Sequence, residues 1–317
     1  MAAAAIACST SGPPSAAPSP RATPTAQPTV AAPPTPAASP TPVAEAQRVE
    51  APLPEPREEG GAAFAQGRLY VIGGFDPAGA SSPSVFYFDG SWHPGPRLPL
   101  GLDHPGVTSL GDRVYVAGGY SAGRASARLF RLDGEAWSEL ASMKRARGGL
   151  ALVGQEGVLY ALAGLSGGAV DVAEAFEVAG GAWHDLPRIP RPRDHVSGFA
   201  WLGLACAAGG RSPNTSLVNC FDPGALAWKD FAPLPFATSG AGAGVLGDEI
   251  IVAGGEDAQE SQMVDEVATY RSGAWSVSKM LVPRHGFSLA PYQGRLWACG
   301  GGTQPGLHAV STCTSFR

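Results

Sequence analysis

The chain of 317 residues carries 22 Lys and Arg against 27 Asp and Glu, a formal net charge of −5, with a pI of about 5.7. Nothing basic accumulates along it, which argues against nucleic acid as a partner, and no apolar run approaches the ~20 residues of a membrane-spanning helix. With 43 Gly and 30 Pro beside 44% hydrophobic residues, the composition favours many short strands joined by turns.

In chain order the first element is a leader. Residues 9–45 are almost wholly Pro, Ala, Ser and Thr, as in PTPAASPTP at 35–43. Such a segment buries too little area to offset its ordering entropy, so a disordered, extended linker over residues 1–45 is expected. At polyproline pitch, ~3.1 Å per residue, its reach is on the order of 100 Å. It follows MAAAAIAC, small residues ending on a lone cysteine. This opening resembles the end of a bacterial lipoprotein signal and its lipobox, with Cys8 as the acylated residue, although Ala5 stands where Leu is usual. The alternative is a low-complexity tail with an incidental cysteine.

From residue 46 onward the chain repeats itself. GRLYVIGG ends at Gly74, DRVYVAGG at Gly119, GVLYALAG at Gly164, GLACAAGG at Gly210, DEIIVAGG at Gly255 and GRLWACGG at Gly301, with spacings of 45, 45, 46, 45 and 46 residues. Before each glycine pair comes a small or apolar stretch such as GVTSLGD at 106–112. After it come a polar turn, a strand such as SVFYFD at 84–89 or EVATY at 266–270, and in five copies a tryptophan: Trp92, Trp137, Trp183, Trp228 and Trp275. Four short strands per unit, punctuated by Gly, Asp and Pro, are predicted.

This pattern resembles the kelch repeat over about residues 46–317. The resemblance implies an all-β, six-bladed kelch-type β-propeller with four-stranded blades. Each sheet is too small to bury its own faces and packs against its neighbours around an axis. Tyr70, Tyr115, Tyr160 and Trp297 share one position before the glycines and are expected between blades. The sixth unit stops at Phe316-Arg317 without a tryptophan-bearing strand, whereas AQRVEAPLP at 46–54 aligns without gaps to AWKDFAPLP at 227–235, with Gln47 in the tryptophan position. The N-terminal strand is therefore expected to complete the last blade, pairing near residues 308–316.

Beyond Cys8, the cysteines form two pairs each separated by 14 residues, Cys206 with Cys220 and Cys299 with Cys313, one on a second strand and one on the third strand of the same blade. Disulfides are expected if each pair shares a face, and with the leader they point to an oxidising compartment. Aligned to the repeat, the pairs are not equivalent and their face parity is read as different, which leaves buried free thiols as the other reading.

Aligning the start of each innermost strand gives a ring: Glu59, His104, Arg147, His195, a small residue near Gly240, and His285 or Gly286, with Arg193 and Arg284 beside it. The resemblance implies that these strands line a central channel whose mouth lies where the inter-blade loops meet. A polar rim of this kind suits an anionic ligand, a sugar or an acidic peptide, with bidentate contacts from Arg. The competing reading is that the Arg and His residues only brace neighbouring loops. His93 and His184, after tryptophans on outer strands, are expected to be exposed.

P-loop, GxSxG, HExxH and dinucleotide-binding patterns are all absent from the sequence. Neither cofactor nor metal is expected, because three histidines about 90 residues apart form a set only if the channel gathers them. The Tyr–Cys cross-link and Tyr/His copper set of kelch-bladed copper radical oxidases cannot be assembled from these residues. The main expectation is a monomeric, non-enzymatic kelch propeller that binds a protein or glycan at its loop face. It would be exported and held to the envelope through the linker by a lipid on Cys8, without a transmembrane helix. The alternative is an enzyme resembling the six-bladed kelch sugar epimerases that act on sialic acids in the periplasm. An intracellular scaffold of the ubiquitin-adaptor kind ranks last.

Overall fold

Each repeat closes into an antiparallel sheet because its connections are short enough for neighbouring strands to pair directly. In the first, Gly61–Ala65, Arg68–Ile72, Val85–Phe88 and Trp92–Pro94 follow one another from the inside outward. Its inner hairpin turns on Gln66-Gly67, whose φ values of 54° and 72° are both left-handed, as a two-residue type I′ turn requires. The computed structural model describes residues 46–317 and contains six such four-stranded sheets, plus a two-stranded ribbon of Tyr120–Ser121 with Arg124–Ala125. The leader and Cys8 lie outside the described residues. Among the described residues no helix is long and apolar enough to cross a membrane.

The innermost strands Gly61–Ala65, Gly106–Leu110, Ala151–Gln155, Ser197–Trp201, Gly242–Leu246 and Leu289–Tyr292 each lie against the next, and the last lies against the first. They define blades I to VI of a propeller around one axis. The core is correspondingly divided into six seams between adjacent blades. Tyr70 meets Phe130 in the seam of blades I and II, Tyr160 meets Phe221 between III and IV, and Trp297 joins Phe88 between VI and I. The aromatic before the glycine pair is therefore a seam residue. The glycines themselves are required by close approach. A Cβ on Gly73 would lie 2.7 Å from the carbonyl oxygen of Leu102 in the next blade, and one on Gly74 would lie 2.5 Å from that of Glu58.

The tryptophans stitch each blade to the one before it. The indole N–H of Trp137 donates to Pro96 O at 2.7 Å, Trp183 to Ala141 O at 2.7 Å, Trp228 to Pro187 O at 2.8 Å and Trp275 to Ala232 O at 3.0 Å. Trp92 does the same to Ala51 O at 2.9 Å. In blade VI the stitch is Gln47, whose amide donates to Lys279 O at 2.7 Å and accepts from Leu281 N–H at 2.8 Å. The strand Gln47–Glu50 pairs antiparallel with Cys313–Phe316, Gln47 opposite Phe316 and Glu50 opposite Cys313, so the first strand of the propeller completes its last blade.

Both cysteine pairs are disulfide-bonded directly across neighbouring strands. The parity difference read from the sequence is corrected here. Cys206 stands four residues before Gly210 and Cys299 two before Gly301, an even offset in each case, so both second-strand cysteines share a face. Each bridge is buried in the seam with the following blade.

Candidate functional site

At one end of the channel the six blades are tied by a closed cycle of backbone hydrogen bonds. Glu59 N–H donates to Gly286 O at 2.7 Å, His104 to Glu59 O at 2.8 Å, Gly149 to His104 O at 3.0 Å, His195 to Gly149 O at 2.8 Å, Gly240 to His195 O at 2.9 Å and Gly286 to Gly240 O at 2.8 Å. All six residues are left-handed, with φ between 51° and 64°. Three are glycine, which accepts this conformation freely. The other three are Glu59, His104 and His195, and their side chains strain the backbone at the positions where the neighbouring blades use glycine.

Two further sets of six surround this cycle. The preceding residues Glu58, Asp103, Gly148, Asp194, Ser239 and His285 bridge in turn to Phe75, Tyr120, Leu165, Arg211, Glu256 and Gly302, each of which directly follows the closing glycine of its repeat string. Together they form the mouth. The His104 imidazole packs edge-on against Phe75 and Tyr120, with ring centroids 5.6 and 6.0 Å away, and lies 4.9 Å from the His195 ring. His104 Nε2 is 3.5 Å from Glu59 Oε2. Each of these histidines is backed by the aspartate before it, with His104 Nδ1 2.7 Å from Asp103 Oδ1 and His195 Nδ1 2.5 Å from Asp194 Oδ1. Donation from Nδ1–H leaves Nε2 as the atom turned to the mouth. Arg211 donates its Nη2 to His195 Nε2 at 3.1 Å and its Nε to Asp194 Oδ1 at 3.0 Å, and it pairs with Glu260.

The electrostatics follow from this crowding. Burial pushes the Glu59 carboxyl up, but His104, His195, His285 and Arg211 outweigh it and hold it below the usual carboxylate range. Burial pushes His104 down, but Glu59 and Asp103 overcome it and leave that imidazole more basic than usual. At His195 burial prevails over Asp194 and Glu59, and the imidazole is less basic than usual. Glu256 is raised, chiefly by burial.

The structure therefore brings Glu59, His104 and His195 together. His285 stands one position outside the cycle, where Gly286 takes its place, and its Nε2 pairs with Glu58 at 2.9 Å while Nδ1 faces Glu256 at 3.3 Å. The three arginines lie elsewhere. Arg147, Arg193 and Arg284 are all but fully buried two residues before the cycle, and they brace carbonyls of their own blades. Arg147 binds Ala161 O, Ala163 O and Glu174, Arg193 binds Ala207 O and Asn219, and Arg284 binds Gly300 O and Thr312 O. Gly149 fills the ring position of blade III. His93 and His184 are exposed on outer strands. The residues that sequence reasoning passed over are Asp103, Asp194, Arg211, Glu58 and Glu256. Two signals pointed to four of them: the Asp-His dipeptide repeated at 103–104 and 194–195, and the residue after a glycine pair for Arg211 and Glu256.

With the arginines withdrawn, carboxylates outnumber cations at the mouth: Glu58, Glu59, Asp103, Asp194 and Glu256 face Arg211 and three imidazoles. The mouth is narrow, the side chains of Glu59, His104 and His195 being only 15%, 16% and 6% exposed. Behind it a cavity of about 330 Å³ runs along the innermost strands past small or apolar residues such as Ala63, Val107 and Ala243. Among the described residues Glu59, His104 and His195 form a group of three donors within 4.8 Å of one another.

Fold and mouth together define a six-bladed propeller with a polar channel mouth, and comparison with known proteins agrees. The Kelch motif model matches residues 56–99 and 103–144. Kelch-like protein terF of Aspergillus terreus is 26% identical over 83% of this chain, and beta-scruin of Limulus polyphemus is 24% identical over 68% of it. The chain spans 64% of the fungal relative and 26% of the scruin. The solved structure of YjhT superposes with a TM-score of 0.69 over 84% of this chain and 96% of that one at 15% identity, a likeness of fold. The motif match and these relatives support kelch repeats in this chain.

Proposed function

We propose that the protein is a non-enzymatic binding propeller that takes a protein or glycan ligand on the loop face around the channel mouth. The observation that carries this reading is that side chains from blades I, II, IV, V and VI converge on one mouth, which Phe75, Tyr120 and Arg211 nearly close. A surface of this kind suits contact with loops and side chains more than engulfment of a substrate. The excess of carboxylates favours hydroxyl or cationic groups on the ligand over the acidic peptide expected from the sequence. Kelch propellers generally bind proteins, and relatives such as Kelch-like protein 36 of Rattus norvegicus, 27% identical over 66% of this chain, carry the same repeats. In the same reading the protein is a monomer that works outside the cytoplasm, tethered through residues 1–45 by a lipid on Cys8. The two disulfides are compatible with that location.

A second reading, sugar epimerisation of the sialic-acid type, is favoured by one observation. His104 and His195 are each backed by an aspartate, and their basicities are pushed in opposite directions beside the ionised Glu59, the arrangement of an acid–base pair. A glycan array and a pull-down from envelope extract, run on the wild type and on an Arg211→Ala/Glu256→Gln double variant, separate the two. The expected result is a ligand that the double variant binds at least about tenfold more weakly, ~1.4 kcal/mol, with no sugar interconversion by NMR. Equal binding by both proteins contradicts the mouth as the ligand site, and epimer or anomer interconversion by the wild type establishes the second reading.

A further inference from the structure

We propose that Glu59, His104 and His195 form a binding site for a divalent transition-metal ion of the Zn²⁺ class at the channel mouth. The donor set is one carboxylate and two imidazoles, the ligand types such ions take. Four-coordinate zinc with bonds of about 2.0–2.1 Å places neighbouring donors about 3.4 Å apart. Glu59 Oε2 and His104 Nε2 are already 3.5 Å apart, and the third donor lies within 4.8 Å of both.

Three independent features point the same way. Asp103 and Asp194 hold Nδ1 of the two imidazoles, which fixes Nε2 toward the mouth, the supporting arrangement typical of metal-bound histidines. All three donor residues occupy left-handed backbone positions where the other blades place Gly149, Gly240 and Gly286, so side chains are kept here against strain. The donors are also 84% or more covered, room suited to an ion more than to a sugar ring.

Arg211 is the competitor. Its Nη2 donates to His195 Nε2, the atom a metal needs, so binding requires that one hydrogen bond to open and the imidazole to move in by about 1 Å to reach bonding distance. The guanidinium keeps its bonds to Asp194 and Glu260 as it turns aside. The site is independent of what the loop face binds, because the ion itself is the probe.

The test uses untagged, chelator-treated full chain titrated with ZnCl₂ by calorimetry and with CoCl₂ by visible absorption. One equivalent should bind, raise the melting temperature and give Co²⁺ d–d bands. His104→Ala, His195→Ala and the isosteric Glu59→Gln should each weaken binding by ~100-fold or more while still showing cooperative melting. His93→Ala and His184→Ala, on exposed outer strands, should leave it unchanged, and Arg211→Gln should tighten it. A wild type that binds no ion, or binding that survives the three donor substitutions, overturns the proposal. Unchanged or weaker binding by Arg211→Gln overturns the assignment of His195 as a ligand.

Discussion

A chain that begins at Arg57 should melt roughly 10 °C or more below one that begins at Ala46. The deleted strand supplies a complete edge. Without it the outer edge of Cys313–Phe316 is left unpaired, and the hydrogen bonds of Arg295 to Ala46 O and of Ser315 to Glu50 are lost. Leu53, only 4% exposed, leaves the seam between blades VI and I, which alone is worth about 1.5–3 kcal/mol. Gln47 releases its two bonds to blade V, and Trp92 loses its carbonyl partner Ala51, at about 1 kcal/mol each. Even after the entropy recovered by the freed segment, the loss should exceed ~4 kcal/mol. Scanning calorimetry of the two chains decides the point, and equal melting would contradict closure by the N-terminal strand.

Arg147 should prove to be a stability residue. Its guanidinium and the Glu174 carboxylate are both fully buried, and Glu174 also accepts from Lys144 N–H. Removing either partner strands a charge in the blade, so Arg147→Ala and Glu174→Gln should each cost about 3–5 kcal/mol in urea unfolding, while an Arg147→Met/Glu174→Leu double replacement should recover much of that loss. A rim residue contacting only ligand would shift stability by no more than about 0.5 kcal/mol. A change that small would return Arg147 to the mouth.

The blade count was legible because the second glycine of each string answers a backbone requirement that recurs once per repeat: no Cβ fits between it and the carbonyl of the residue just before the ring position. Closure was legible too, since APLP at 51–54 copies 232–235 and Gln47 can do what an indole does at that position. Glu59, His104 and His195 stood out as polar residues at the start of innermost strands. In blade III the alignment followed charge to Arg147 and passed over Gly149, two residues on. A long side chain that folds back on its own blade's carbonyls has the same sequence signature as one that reaches a ligand. Arg211 escaped because it lies 16 residues after His195 and meets it only through the isolated bridge to Asp194, a contact outside any strand pairing. Nor does spacing reveal that two histidines 91 residues apart meet edge-on at 4.9 Å. The ring geometry does that.

That ring is the central claim, and amide hydrogen exchange resolved to single residues tests it most directly. The account predicts slow exchange at Glu59, His104, Gly149, His195, Gly240 and Gly286 in the closed propeller, with protection lost at all six together once residues 46–56 are removed. Ring amides that exchange within seconds while the innermost strands stay protected would show that the cycle, and the mouth it holds in place, does not exist in solution.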